Sequence, residues 1–141
     1  MSLSPKEMQQ PGLFAKIILI FLGGAIGTGL RFALILLSGL EADRIYWIIL
    51  VENIMGCFAL GYVSARLKMR MMRHYAWAPF MGTGLLGSFT TFSAFSTDLI
   101  YTAAISWWLT GFYLIFSLTG GLFAAMAGLK LGLSQGRKRW I

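Results

Sequence analysis

One cysteine, one histidine and five acidic residues in 141 leave little conventional site chemistry. The lone Cys57 excludes an internal disulfide and any multi-cysteine metal site, and a small buried side chain is its ordinary role. His74 stands in a basic loop, where solvation is the expected state. No nucleophile with its base, no metal-ligand cluster and no phosphate-binding loop can be found, so the residues give an enzyme no support. Charge of either sign is scarce, at 12 % of the chain.

Apolar side chains are abundant instead. They make up 57 % of the residues, with a mean hydropathy of +0.73, far above an ordinary soluble domain. Four apolar runs, near Ile17 to Ser38, Tyr46 to Ala65, Ala78 to Tyr101 and Ala103 to Leu131, are each long enough to cross a hydrocarbon core of roughly 30 Å as a helix. Polar joints at Gly39 to Arg44 and Arg66 to His74 separate the first three, whereas only Ser106, Trp107 and Trp108 mark the last turn. Backbone groups in lipid must be bonded internally, and the alternation of a barrel strand is absent. The predicted fold class is therefore an all-α membrane protein, one transmembrane domain over residues 1–141. The polar start MSLSPKEMQQPG carries no cleavage-site pattern after a short apolar core, so the first run is expected to remain as helix one.

The net charge of +7 is distributed as in a membrane protein, and nucleic acid is not needed to explain it. Lys6, Lys16, Arg66, Lys68, Arg70, Arg73, Lys130, Arg137, Lys138 and Arg139 fall on one side of four spans, with only Arg44 opposite. The positive-inside rule places both termini in the cytoplasm, with the tail against anionic membrane lipid. Three ionisable residues lie within the spans: Arg31, Glu52 and Asp98. Such residues mark functional sites by default, although Arg31 and Asp98 lie near segment ends, where snorkelling or pairing accounts for them. Glu52 is deeper. Its neighbour Asn53 also needs partners away from water, but about 100° of helix separates the two and they need not face one site.

The stretch GLLGSFTTFSAFSTD, Gly84 to Asp98, is unusual for a spanning helix. Gly82, Gly84 and Gly87 weaken helical continuity, and the hydroxyls of Thr90 and Thr91 compete for backbone hydrogen bonds, so helix three is predicted to break here. A break at membrane depth frees carbonyls and amides, which is tolerated where they are buried, line a cavity or bind an ion. Phe92 and Phe95 share roughly one helical face, with Phe89 one turn earlier. Positive ring edges beside hydroxyl and amide donors, without a fixed cation, suit a small anion; packing against neighbouring helices is the alternative role of such rings.

This stretch, with GGAIGTGLRF in helix one and the Asn-x-x-Gly of ENIMGCFALG in helix two, resembles the Fluc/CrcB fluoride channels over essentially all four helices. The resemblance implies a passive channel exporting fluoride across the bacterial plasma (inner) membrane, built as an antiparallel, dual-topology dimer enclosing two pores. It implies a sodium ion on the dimer axis, held by main-chain oxygens at Gly87 and Thr90. It places the anion path along Asn53, Phe92 and Phe95, with Ser93 and Thr91 beside them and Tyr113 and Ser117 on helix four. Arg31 and Asp98 match the family's helix-one arginine and helix-three acidic position, the latter usually Glu. Fluoride itself comes from the resemblance, because pore width and donor geometry are not legible in sequence.

The departures are specific. Ile48 and Ile49 stand where relatives have Gly-Thr, Glu52 where they have an apolar or small residue, and Gly121 and Ala125 where they put Ser and Thr. The Lys/Arg bias favours one orientation, so an antiparallel homodimer competes with pairing to a related subunit of opposite orientation. Three arrangements stay open for Glu52: protonation, pairing with Arg31, or facing a second subunit. Two other classes also fit parts of the sequence. A small multidrug-type exporter would exchange protons for organic cations at Glu52, leaving TTFSAF unexplained. A packing protein would use the close-approach pairs Gly23/Gly27 and Gly128/Gly132 for assembly.

Overall fold

The structure is a computed structural model that describes residues 12–41, 44–68 and 78–137. Lys6, Arg70, Arg73, His74, Lys138 and Arg139 lie outside the described residues. Helix α1 (Leu13–Ser38) ends where Gly39 turns left-handed at φ 61°, a conformation that glycine adopts without a Cβ penalty. The Ser38 hydroxyl closes that end by donating to the Ile35 carbonyl at 2.7 Å and accepting the Leu40 N–H at 3.2 Å. Along α1 only Gly23 and Gly27 are buried, while Phe14, Phe21 and Leu37 are more than 70 % exposed. In water that surface would be a severe liability; in a bilayer it is the lipid-facing side.

Helix α2 (Ile45–Lys68) follows, then a wide π-wound helix Pro79–Leu86, the short α3 (Gly87–Phe89), α4 (Phe92–Ile105) and α5 (Trp107–Arg137). The π winding is explicit where the Gly87 N–H reaches back five residues to the Gly82 carbonyl as well as to that of Gly84. Among the described residues α1, α2 and α5 are each long and apolar enough to cross a membrane. The remaining span consists of two halves, meeting at the non-helical Thr90 and Thr91. Ser106, extended at φ −165° and ψ 130°, separates α4 from α5, with Trp107 and Trp108 exposed just beyond it. The chain is thus an all-α membrane protein whose third span is broken.

Two glycine-lined crossings hold the bundle. A Cβ at Gly84 would stand 2.7 Å from the Ile20 carbonyl and 3.1 Å from Gly23 Cα, and one at Gly27 would overlap the Leu85 carbonyl. These contacts lock α1 on the π-wound helix. On the other side of the bundle, a Cβ at Gly128 would overlap the Phe58 carbonyl and one at Gly132 would lie 2.6 Å from Ala65 Cβ, so α5 rides directly on α2. Helices in lipid gain no hydrophobic drive from one another, and backbone contact of this kind supplies the packing energy. Gly23/Gly27 and Gly128/Gly132 are therefore used within one chain, which removes the observation that motivated an assembly role.

Candidate functional site

The break is built from both sides. Thr90 keeps its N–H on the Leu86 carbonyl at 3.0 Å, and its hydroxyl donates to the same oxygen at 2.9 Å. Thr91, at φ −144° and ψ 119°, leaves the helical ladder and donates its N–H to Asn53 Oδ1 at 2.9 Å. Asn53 Nδ2 donates back to the Thr91 carbonyl at 3.4 Å, so one side-chain amide serves both polar groups of an interrupted backbone. Gly56 makes this seating possible, since a Cβ there would overlap Thr90 Cγ2 and crowd Phe89 Cδ1 at 3.3 Å. The spacing Asn53-x-x-Gly56 thus has a direct physical reason. Thr91 Oγ1 then caps α4 by accepting the Ala94 N–H at 3.2 Å, and it shares a hydrogen bond with Ser93 Oγ at 3.0 Å.

Beside the break lies a cleft of about 280 Å³ lined by Asn53, Thr90, Thr91, Phe92, Phe95 and Ser117, together with Cys57 and Leu118. The Phe92 and Phe95 rings are 5.8 Å apart and tilted by 42°. Phe92 is 80 % exposed, whereas Phe95 is buried and stacks on Tyr113 at 5.8 Å. Ser117 Oγ is buried without a hydrogen-bond partner. Every polar lining group is neutral, so the cleft offers donors and ring edges without a cation to trap an anion.

The remaining candidates are divided among other surroundings. Tyr113 is fully buried behind Phe95 and donates its hydroxyl to Asp98 Oδ2 at 2.8 Å, so its hydroxyl is committed and does not line the cleft. Asp98 is correspondingly buried, held by Tyr113 rather than snorkelling to the membrane surface. Ser93 lines a second cleft of about 400 Å³ with Arg31, Thr28 and Thr97, on the other side of the α4 start. The Thr91–Ser93 hydroxyl pair links one residue of each cleft, and Arg31 lines the cleft on the Ser93 side. Phe89 does not continue the Phe92–Phe95 face: it precedes the break and is buried near Gly27 and Gly56. Glu52 faces away from Asn53, into a cleft with Leu34 and Ser38, and neither carboxylate oxygen has a hydrogen-bond partner. A hydrogen-bonded Glu52–Arg31 pair is therefore absent within one chain. Replacing Tyr113 by phenylalanine strands a buried carboxylate, and the expected cost of about 1–3 kcal/mol should appear as a lowered unfolding midpoint in detergent.

Sequence reasoning missed Gly56 as the seat of Thr90 and Tyr46 as an aromatic support, its ring meeting Tyr113 edge-on at 6.0 Å. The glycine three residues after Asn53 was the available signal for the first.

A family profile described as "CrcB-like protein, Camphor Resistance (CrcB)" matches residues 18–129, which include both clefts and the break. The chain belongs to the CrcB family. Among its CrcB relatives, "Fluoride-specific ion channel FluC 2" of Nocardia farcinica is 34 % identical over 129 residues, covering 89 % of this chain and 86 % of the relative. "Fluoride-specific ion channel FluC" of Paracoccus denitrificans is 37 % identical over 119 residues, 80 % of this chain and 90 % of that one. The protein of the same name from Dichelobacter nodosus is 35 % identical over 113 residues, covering 79 % and 92 %. CrcB membership and the long apolar helices together make this a multi-pass membrane protein.

Proposed function

We propose that this protein is a passive fluoride channel of the bacterial plasma membrane. The observation that carries the reading is the broken third span, pinned open by Asn53, beside a cleft that combines Phe92 and Phe95 with the neutral donors of Thr91 and Ser117. Fluoride approaching past Arg31 would pass Ser93 and Thr91 and then the ring edges, exchanging water for hydroxyl and amide donors without meeting a fixed cation in the narrow part. Tyr113 acts from behind, stacking on Phe95 and so fixing that ring.

The working unit is an antiparallel dimer. Its support is the exposed Phe92, which leaves the cleft open on one side in a single chain, to be walled by a second copy. A structural sodium ion fits the break, because the Thr91 N–H goes to Asn53 instead of to the Gly87 carbonyl. Main-chain oxygens of Gly87 and Thr90 are hard, neutral donors of the kind such a cation takes, and the bound ion would fix two subunits together through their breaks.

A second reading, in which the partner is a related subunit, is favoured by the one-sided Lys/Arg distribution. The shortened polar track has a separate local cause: Gly121 packs on Cys57 and the Ala125 carbonyl presses on Gly61, so both positions belong to the α2–α5 crossing.

Fluoride efflux from liposomes holding this protein alone, read with a fluoride electrode beside a chloride control, tests both readings. Selective efflux that falls to the protein-free level in a Phe92→Ile, Phe95→Ile variant is expected. Silence from the well-folded protein would overturn the self-sufficient homodimer and call for a relative as partner.

A further inference from the structure

Glu52 lines neither cleft of the proposed anion path, yet it is 2 % exposed and both of its oxygens lack a hydrogen-bond partner. It forms the polar base of a cleft of about 240 Å³ between α1 and α2, whose other lining residues are Leu34, Leu37, Ser38, Ile48, Val51 and Met55. The one other polar group there is spoken for, because the Ser38 hydroxyl donates to the Ile35 carbonyl. Arg31 lines the neighbouring cleft with Ser93 and not this one. The mouth opens sideways: Leu37, Val51 and Met55 are 83 %, 51 % and 54 % exposed in the single chain, an apolar rim of the kind that lipid covers. Glu52 lies seven residues into α2, about 10 Å along its axis, within reach of a molecule anchored in the headgroup region.

A carboxylate held away from water requires a donor, and the walls require an apolar body. We propose that this cleft is a binding site for a lipophilic primary amine, its ammonium head on Glu52 and its hydrocarbon part against Leu34, Ile48 and Val51, entering from the lipid. The ammonium brings three N–H donors to two acceptors that have none and sets its charge in contact with them, where Arg31 acts on Glu52 only through space, forming charge-assisted hydrogen bonds. A quaternary ammonium brings the charge without the donors and binds less well. This site is separate from the break, and its occupancy does not rest on fluoride conduction.

The test is fluorescence titration of the purified full chain in lipid nanodiscs with dansylcadaverine, a primary ammonium on a pentyl chain with an apolar fluorophore. Saturable, blue-shifted emission is expected. Binding should weaken about tenfold or more in Glu52→Gln, the scale of a lost charged hydrogen bond, and equally when the probe amine is acetylated. The acetylated probe on the unaltered protein decides the question even if Glu52→Gln fails to fold. Equal binding of the free and acetylated amines, binding unchanged in a folded Glu52→Gln protein, or no saturable binding would each overturn the proposal.

Discussion

Replacement of Asn53 by alanine should reduce fluoride efflux by about two orders of magnitude while leaving the helical content of the protein intact. The amide serves both backbone groups of Thr91, through bonds of 2.9 and 3.4 Å. Alanine leaves the partly buried Thr91 N–H without a partner, at about 1–3 kcal/mol, and takes from the Thr91 carbonyl one of its two hydrogen bonds, about 1 kcal/mol, the Phe95 N–H at 3.4 Å remaining. The backbone has a ready alternative, since closing the break would return the Thr91 N–H to the Gly87 carbonyl in a regular i to i+4 bond. Removing a total of about 2–4 kcal/mol therefore shifts the population from the broken conformation toward a continuous helix by a factor of about 30 to 1000. In the continuous helix the Thr91 cap is lost and the start of α4 turns about its axis, carrying Phe92 and Phe95 with it. Liposome efflux with circular dichroism on the same sample separates this from unfolding. Flux within threefold of the original would mean that Gly56 and the Thr90 hydroxyl hold the break unaided.

That break was legible in sequence for reasons that do not extend to how it is held. Glycine spacing and paired β-branched hydroxyls are local properties, and they weaken a helix wherever they occur. Four spans were legible on the same footing, because lipid leaves a helix as the economical state of a long apolar run. The bond from Asn53 to Thr91 joins residues 38 apart and depends on how α2 meets the third span, which no local pattern encodes. The Tyr113–Asp98 bond crosses the α4–α5 turn, and without that geometry Asp98 reads as a residue near the membrane surface. Helical periodicity also grouped Phe89 with Phe92 and Phe95, although an extended pair at Thr90 and Thr91 resets the phase between them. The approximate 100° between Glu52 and Asn53 was informative, since α2 is continuous there and the two residues do face different clefts.

Gly23→Val is expected to have the largest structural effect of any single substitution considered, reducing the yield of monodisperse protein by about tenfold or more. A Cβ at Gly23 would overlap the Phe80 carbonyl and stand 2.9 Å from Leu85 N and 3.2 Å from Gly84 Cα. All three are backbone atoms of the π-wound helix, and backbone cannot rotate aside as the end of a flexible side chain does. Overpacking of this kind costs about 1–3 kcal/mol in a water-soluble core. Here the only relief is to move α1 outward, which also forfeits the contacts at Gly27, because α1 meets this helix through close backbone approach. Gly29→Ala is the matched control: nothing lies within 4 Å of its Cβ position, and the substitution raises helix propensity by up to about 1 kcal/mol. Size-exclusion profiles of the two variants, extracted side by side, separate tight packing from a general need for glycine in α1. The contact also matters to the path, since α1 carries Arg31 and the π-wound helix leads into the break. Moving α1 at the Gly23–Gly84 crossing also moves Arg31 relative to Ser93, which lines the same cleft, and a variant that folds with α1 displaced should lose fluoride flux even with Phe92, Phe95 and Asn53 unchanged.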